Sequence, residues 1–313
     1  MLNCLWHMDS ACQLDCFLRT VIPKELPGKV VSNSKIRRLI IAGCVRINGS
    51  VCRIPTWQLN AGDSVQAFID DEKFFFEKKP NDISFILTDS NVLYEDSDII
   101  IVDKPAFFPT EPTVVSSRAS MHQAVKDYLW KKEPARLHVP YAGVMHRLDR
   151  ETSGVLLFTK TREVNAVMHE QFASHTIQKT YRALCKPTKS QILCRFSVNQ
   201  PIGRISPKSA PCKMGALPVD RGGQEARTDM VIVERQSKFV LVEAMPYTGR
   251  THQIRVHLSL AGLPIVGDTQ YGGPPGLASA NGRVMLHAWK LSFLHPRTGR
   301  SLTVQAPLPL EFL

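Results

Sequence analysis

Hydrophobic and polar residues alternate differently in two parts of the chain, and the change predicts two domains. Residues 12–70 combine helical periodicity with short half-buried strands, whereas from about residue 88 onward apolar runs are separated by Gly/Pro turns. The stretch between these patterns is charged and carries three consecutive phenylalanines. We therefore expect a small domain over 12–70, a linker over 71–87 and a large domain over 88–313.

The small domain is predicted to contain two helices and a hairpin. Residues 13–21 have the period of a short helix. A second helix begins after Ser32, a favourable N-terminal cap, and ends at Gly43. Residues 45–54 then alternate like two strands around an Asn48-Gly49 turn, a sequence typical of tight hairpins.

The second helix has an apolar face and a basic face. Ile36, Leu39 and Ile40 mark the apolar face. The basic residues that we predict to point outward are Lys35, Arg37 and Arg38. A helix with exposed cations, followed by a hairpin, is one way to place positive charge along a nucleic-acid backbone. The alternative is a helical-hairpin module with a merely solvated basic face.

The large domain is predicted to be rich in strands. Helices are expected over 121–130 and 163–172. Strands are expected over 99–102, 154–160, 181–185, 230–234, 239–245, 286–293 and 301–305. The strands outnumber the helices and do not alternate steadily with them, which indicates an α+β fold with a largely antiparallel mixed sheet.

Charge and composition narrow the class of protein. The formal net charge is +11, which favours a polyanionic partner, although a basic protein without such a partner has the same composition. No apolar run reaches the roughly 18 residues of a membrane span, and no secretory leader is visible, so we expect a cytoplasmic protein. The cysteines show no disulfide framework, and the group at Cys4, His7, Cys12 and Cys16 lacks the paired spacing of a zinc site. We expect no metal.

One polar loop, residues 145–154, lies directly before an apolar strand. Asp149 is flanked in sequence by Arg147 and Arg150, which would favour the ionised carboxylate if they are also near in space. An ionised carboxylate can act as a nucleophile or a base, and a neighbouring arginine can bind phosphate. The residues alone leave a second interpretation equally open, that of a surface loop of compensating charges.

The loop, with its His-Arg-Leu-Asp-x-x-Thr-Ser-Gly sequence, resembles the central motif of RluA-type pseudouridine synthases. The similarity extends through the large domain, where further stretches occur in the family's order. These are residues 94–105, 179–184, 201–204, 223–228, 248–268, 286–289 and 295–299. Residues 32–49 together with 61–63 resemble an S4-type RNA-binding domain. The resemblance implies a pseudouridine synthase fold joined to a small S4-like domain.

The resemblance also implies a reaction and the residues that perform it. Pseudouridine forms when the uracil detaches from its ribose, turns and rejoins through C5, which requires no cofactor. By the resemblance, Asp149 is the catalytic carboxylate and Arg255 pairs with it, with Arg250 as the competing partner. Tyr181 would stack on the uracil, although a core aromatic is the alternative. The residues implied to bind substrate are Arg147, Lys104 and Arg250, together with Lys35, Arg37 and Arg38.

Three questions stay open at this stage. His146, His252 and His257 are interpreted as residues that shape their motifs rather than transfer protons. Residues 106–111 depart from the family, which usually has a Gly and a short Val/His stretch there. Large-subunit ribosomal RNA is the expected substrate of a monomeric enzyme, with transfer RNA as the second choice. A non-catalytic RNA-binding or ribosome-assembly factor on the same fold is the alternative from another class.

Overall fold

A computed structural model describes most of the chain and divides it into two compact units near residue 80. The described residues are 2–29, 31–70, 74, 82–112, 119–133, 138–188, 193–207 and 212–312. Most of the expected linker, 71–87, lies outside them, so the domain limits proposed above stay a prediction. Within the described residues, the model contains no helix with both the length and the apolar character that a membrane crossing requires.

The first unit is a four-stranded antiparallel sheet with two helices. Its elements are β1 Leu2–His7, β2 Cys12–Gln13, α1 Leu14–Glu25, α2 Asn33–Ile41, β3 Val45–Ile47, β4 Ser50–Cys52, β5 Gln58–Leu59 and β6 Ser64–Ile69. The sheet order is β1-β6-β3-β4, and β2 pairs separately with β5. One apolar core joins the helices to the sheet, with Leu14, Leu18, Ile40 and Val65 among its fully buried members.

Local sequence determines much of this unit. The Ser32 hydroxyl accepts a hydrogen bond from the Lys35 backbone N–H at 3.3 Å, which caps α2 as expected. Asn48 and Gly49 both have positive φ, which matches a tight hairpin turn between β3 and β4. Strand β1 was not predicted, because its pairing with β6 joins residues more than 50 positions apart.

The basic face of α2 differs from the prediction at one position. Arg37 and Arg38 are exposed, but Lys35 is only 7% exposed and lies with Ile36 on the buried side of the helix. A lysine next to the apolar stripe can bury its aliphatic stem along that stripe. The expectation that Lys35 points outward is therefore wrong. Arg37 is also partly compensated, since its Nη1 lies 3.7 Å from a carboxylate oxygen of Asp15.

The second unit is built on one ten-stranded mixed sheet, and β13 and β14 form a separate two-stranded sheet. The strands of the unit are β7 Val92–Glu95, β8 Ile99–Lys104, β9 Gly143–Val144, β10 Ser153–Thr159, β11 Gln178–Cys185, β12 Arg195–Val198, β13 Ile202–Arg204, β14 Met214–Ala216, β15 Thr228–Arg235, β16 Val240–Pro246, β17 Leu286–Leu294 and β18 Ser301–Gln305. Its helices are α3 Met121–Lys132, α4 Asn165–Ala173 and α5 Gln253–Leu260.

The order of the large sheet is β12-β15-β16-β11-β17-β10-β8-β7, with β9 added to β10 and β18 added to β17. Only the pairing of β10 with β17 is parallel among these described strands. The expected α+β class with a largely antiparallel mixed sheet is confirmed. Helix α5 was not predicted, because its residues 253–258 are all buried and its sequence therefore lacks the alternation of an amphipathic helix.

Strand β10 explains the apolar run that follows the polar loop. All of its residues are buried, and alternate side chains enter two different cores. Leu156 and Phe158 pack with the residues of α3, whereas Val155 and Leu157 pack with Met168 of α4. A strand covered on both faces is continuously hydrophobic. The loop before it is thus attached to a strand that is buried on both faces.

Candidate active site

Asp149 lies in a tight turn that is fixed on both sides. The Thr152 backbone N–H donates to the Asp149 carbonyl at 3.1 Å and closes the turn. The hydroxyl of Thr110 donates to the Leu148 carbonyl at 2.9 Å and accepts from the Leu148 N–H at 3.2 Å. Leu148 itself is buried. The backbone that carries Asp149 therefore has little freedom to move.

The exit from this turn depends on a glycine. Gly154 has a φ of +111° and lies against the backbone of Ala288, where any Cβ would overlap the Ala288 carbonyl. Ala288 pairs with Gly154 on one side and with Tyr181 on the other. This close contact of three strands places Tyr181 and the Asp149 turn beside the same cavity.

The Asp149 side chain is held by Arg255 of α5. The Nη1 atom of Arg255 lies 3.3 Å from Asp149 Oδ2, and the Asp149 side chain remains 35% exposed. The bidentate pair is made with a different carboxylate, since Nε and Nη2 of Arg255 donate to Asp268 at 2.7 and 2.8 Å. Burial opposes the charge on Arg255, but Asp268 and Asp149 raise its pKa above the ordinary range. The expected Arg255–Asp149 contact is present, but only through one nitrogen.

Asp268 was not identified from the sequence as a site residue. It is 1% exposed, and its carboxylate holds the guanidinium in the plane that presents Nη1 to Asp149. Gln270 accepts a further hydrogen bond from Arg255 Nη2 at 3.2 Å. The one available indication was that Asp268 ends a stretch that resembles the family.

Asp149 and Tyr181 line a cavity of about 730 Å³, which is large enough for a nucleotide. Polar groups that share this cavity are Arg147, Arg250, His252 and Arg255. Burial, together with the charge of Asp149, raises the pKa of Tyr181, so the phenol stays protonated. No hydrogen bond from the part of the chain that the structure describes occupies the Tyr181 hydroxyl.

Two of the three histidines, His146 and His257, make their hydrogen bonds with groups other than Asp149. His146 accepts from the Leu157 N–H at 3.0 Å and stacks on Phe172, and burial lowers its pKa to about 3. His257 bonds the Thr228 hydroxyl at 2.8 Å and the Gln200 carbonyl at 2.9 Å. His252 is different, because its Nε2 atom faces Asp149 at 3.9 Å.

The other expected substrate-binding residues occupy contrasting positions. Lys104 is fully buried, and its ammonium donates to the carbonyls of Pro105, Phe108 and Arg150. Burial lowers the pKa of Lys104 to about 7, and the positive charge of Arg283 acts in the same direction. This geometry does not agree with a direct contact between Lys104 and RNA, because a side chain enclosed by three carbonyls has no surface to offer.

The two arginines of the cavity are more accessible. The Arg147 side chain is 75% exposed, and its Nε lies 3.5 Å from a carboxylate oxygen of Glu111. Arg250 donates through Nε to the Glu225 carbonyl at 3.0 Å. Of the two arginines considered as partner of Asp149, Arg255 therefore makes the contact, and Arg250 lies at the wall of the cavity.

The departure at residues 106–111 has a distinct backbone. Phe107 adopts a left-handed φ of +60°, which is unfavourable for a bulky residue. Its ring lies 5.2 Å from the guanidinium carbon of Arg150, on the turn that carries Asp149. Glu111, at the end of the same stretch, lines the cavity. The departure thus changes both the support of the turn and the charge at the cavity.

A metal-ligand arrangement occurs elsewhere in the second unit. Among the described residues, the one group with suitable spacing is Asp96, Asp98 and His295. The carboxylate oxygens of Asp96 and Asp98 already accept hydrogen bonds from Arg297, His295 and backbone N–H groups.

The Asp149 cavity instead presents a partly exposed carboxylate, a buried guanidinium and a phenol ring. This set is suited to nucleophilic or base chemistry on a planar ring with a ribose.

Comparison with known proteins identifies the family of the chain. Residues 98–260 match the family model described as RNA pseudouridylate synthase, and residues 28–65 match the S4 domain. The chain is 32% identical over 298 residues to an uncharacterized RNA pseudouridine synthase of Synechocystis sp., covering 93% of this chain and 85% of that protein. It is 31% identical over 310 residues to ribosomal large subunit pseudouridine synthase C of Buchnera aphidicola, covering 96% and 91%.

Solved structures show the same fold. The human RNA pseudouridylate synthase domain containing 4 matches with a TM-score of 0.57 at 23% identity, over 71% of this chain and 90% of that chain. The family model and the named relatives together identify an isomerase that acts on RNA. The chain belongs to the RNA pseudouridylate synthase family and carries an S4 domain, so it forms pseudouridine in RNA.

Proposed function

We propose that this enzyme converts uridine to pseudouridine in large-subunit ribosomal RNA, with Asp149 as its catalytic residue. The observation that carries the proposal is the half-exposed Asp149 carboxylate, held by Arg255 in a cavity that Tyr181 also lines. The substrate is inferred from relatives named ribosomal large subunit pseudouridine synthase, such as synthase D of Pasteurella multocida, which is 30% identical over 296 residues. That relative is covered over 85% of its length.

Each side chain has a proposed part in the reaction. The target uridine leaves its stack and enters the cavity, where the Tyr181 ring packs against the uracil. Asp149 either attacks the ribose carbon or removes a ribose proton, and Arg255 keeps the carboxylate charged and oriented in both cases. Closure by the RNA excludes water while the base is detached and turns.

RNA contacts are proposed at two places. Arg147 fills the space left by the flipped uridine or binds phosphate, and Arg250 contacts the RNA from the cavity wall. In the S4 unit, Arg38 and Arg37 offer exposed cations, although Asp15 compensates Arg37 in part. Such contacts neutralise phosphates and release counterions, which makes the affinity dependent on salt.

The decisive experiment maps pseudouridine in total RNA from cells with and without this protein. We expect one or more large-subunit ribosomal sites to disappear on deletion and to return with the wild-type chain but not with Asp149→Asn. Loss of transfer-RNA sites alone would contradict the ribosomal substrate. If Asp149→Asn restored modification, Asp149 could not be the catalytic carboxylate.

A non-catalytic assembly factor predicts the opposite pattern. In that case ribosome assembly would depend on the protein, no modified site would change, and Asp149→Asn would complement fully. Measuring subunit profiles beside the pseudouridine map separates the two functions, because the enzyme proposal requires the modification to follow the carboxylate.

A further inference from the structure

His252 lines the cavity, and the expected mechanism leaves this residue without a role. It precedes α5 with a left-handed φ of +55°, an unfavourable backbone for a residue other than glycine. The conformation directs its ring into the cavity, with Nδ1 2.7 Å from the Tyr271 hydroxyl and Nε2 3.9 Å from Asp149 Oδ2. Strained backbone at such a place is a reason to look for a function.

The hydrogen bonds of Tyr271 select one form of the His252 ring. The Tyr271 hydroxyl already accepts from the Met214 backbone N–H at 3.0 Å, so its own hydrogen is free to be donated. Donation to His252 Nδ1 leaves the ring hydrogen on Nε2, where it faces the Asp149 carboxylate. The other tautomer would turn a lone pair toward that negative charge, which is repulsive.

Tyr271 also contacts the second group that reaches Asp149. The guanidinium carbon of Arg255 lies 5.0 Å from the centroid of the Tyr271 ring. His252 and Arg255 therefore share one support, and both face the same oxygen, Oδ2. Within the described residues, Oδ1 of Asp149 accepts no hydrogen bond, so it is the oxygen available to a substrate.

We propose that His252 is a positioning residue that donates its Nε2 hydrogen to Asp149 Oδ2 when RNA binds, which directs Oδ1 toward the ribose. The inference rests on the proposed function of Asp149. The 3.9 Å separation in the free enzyme is longer than a hydrogen bond, and catalytic hydrogen bonds often shorten only in the substrate complex. The ring acts in its neutral form, because Arg255 already supplies the positive charge.

The groups around the ring agree with a neutral imidazole. Burial lowers the pKa of His252, and Arg255 acts in the same direction, whereas Asp149 and Asp268 oppose the decrease. Tyr271 faces the other nitrogen. When the pH falls below the ordinary histidine range, an imidazolium would bind Oδ2 more tightly and draw negative charge away from the reactive oxygen.

The test compares two substitutions that separate the contacts of the ring. In His252→Asn the amide occupies the place of Nδ1, keeps the contact with Tyr271 and tolerates a left-handed backbone, but cannot reach Asp149. In His252→Gln the amide reaches the place of Nε2. Tyr271→Phe is the third variant: it keeps the ring beside Arg255 and removes the hydroxyl that fixes the tautomer and that also accepts from the Met214 N–H.

Single-turnover rates at saturating RNA, RNA affinity and melting temperature are measured for each variant. We expect His252→Asn to lose about 10- to 100-fold in rate, because the carboxylate is less well oriented, with unchanged RNA affinity and melting temperature. His252→Gln should recover part of the rate, and Tyr271→Phe should fall between His252→Asn and the wild type. The rate of His252→Asn should also be less sensitive to acid than that of the wild type.

Two results would overturn the inference. One is a wild-type rate in His252→Asn while Asp149→Asn is inactive, which would leave the proposed function intact. The other is an equal loss in the Asn and Gln variants that follows a lower melting temperature, which would assign His252 a purely structural role. Turnover by Asp149→Asn would instead overturn the proposed function itself.

Discussion

Two clusters of the second unit contain the same residue types and have opposite properties. One consists of Asp149, His252, Arg255 and Asp268 at the cavity. The other consists of Asp96, Asp98, His295 and Arg297, where β7 and β8 meet the segment between β17 and β18. Both are built from two aspartates, a histidine and an arginine. Composition alone therefore does not tell which of them performs chemistry.

The difference lies in how the carboxylate oxygens are used. Asp98 is 2% exposed, and Arg297 donates to both of its oxygens at 2.6–2.9 Å. Asp96 accepts from two backbone N–H groups, the Tyr94 hydroxyl and His295. Asp149, by contrast, is 35% exposed and keeps Oδ1 without a hydrogen bond from the described part of the chain. A saturated cluster holds the fold together, whereas an unsaturated one can bind a substrate.

The largest expected effect separates these two clusters by one isosteric change in each. Asp149→Asn should reduce pseudouridine formation by about 10³-fold or more with little change in stability, because the side chain is half-open and reaches Arg255 through one contact. Asp98→Asn should lower the free energy of unfolding by about 1–3 kcal/mol, because it weakens charge-assisted hydrogen bonds. The folded fraction of Asp98→Asn should keep its turnover.

Denaturant unfolding and single-turnover assays on both variants make this comparison. The result that contradicts it is an exchange of phenotypes, with Asp98→Asn stable but inactive or Asp149→Asn unfolded. In that case the exposure of the carboxylate would not distinguish a catalytic cluster from a structural one.

Local sequence predicted the parts of the molecule that depend on neighbouring residues. The cap at Ser32, the Asn48-Gly49 turn and the buried strand β10 each follow from a few adjacent residues, and the structure contains all three. The polar loop could be found but not interpreted from its residues alone. The proposal that Asp149 is the catalytic residue of this loop required the resemblance to a family.

The remaining features depend on distant contacts. Asp268 lies 13 residues after Arg255 and becomes its bidentate partner only because α5 and the following loop fold back on each other. Lys35 lies beside Ile36 on the buried side of α2, and how far that side extends depends on the residues that pack against it. The tautomer of His252 depends on Tyr271 and, through it, on Met214. Periodicity contains no information about such pairs.

Asp103 is an intermediate case between the partly exposed Asp149 and the fully hydrogen-bonded Asp98. Asp103 on β8 accepts no hydrogen bond from the described residues and does not line the Asp149 cavity. Burial raises its pKa to about 6, although Arg283 and Lys104 oppose the increase. A partly buried carboxylate without a hydrogen bond from the described residues, away from the cavity, should therefore cost stability without contributing to turnover.

The sign of the pH effect follows from the raised pKa. Between the ordinary value of 3.8 and about 6, folded Asp103 binds more protons than the unfolded chain, so its contribution to stability is lost as the pH rises through this range. Asp103→Asn should raise the free energy of unfolding by about 1–2 kcal/mol above pH 6, and the gain should shrink toward pH 4. Urea unfolding of both proteins across this pH range measures the difference. A less stable variant at pH 7, or loss of turnover, would contradict the comparison.

The smallest expected effect concerns the exposed pair of Arg147 and Glu111 at the cavity. The Arg147 side chain is 75% exposed and that of Glu111 is 40% exposed, and such a solvent-accessible pair contributes about 0–1 kcal/mol to stability. Its consequence should instead lie in RNA binding, because Glu111 competes with a phosphate for Arg147. Arg147→Ala should weaken RNA binding several-fold and reduce the slope of log Kd against log salt by about 1.

Glu111→Gln is the matched opposite of that change. It frees Arg147 and removes a negative charge from the cavity, so it should strengthen binding by a small factor at low salt and have less effect at high salt. Melting temperatures of both variants should stay close to that of the wild type. Weaker binding by Glu111→Gln would mean that Glu111 orients Arg147 for the RNA rather than competing with it. The departure at residues 106–111 would then contribute to substrate recognition directly.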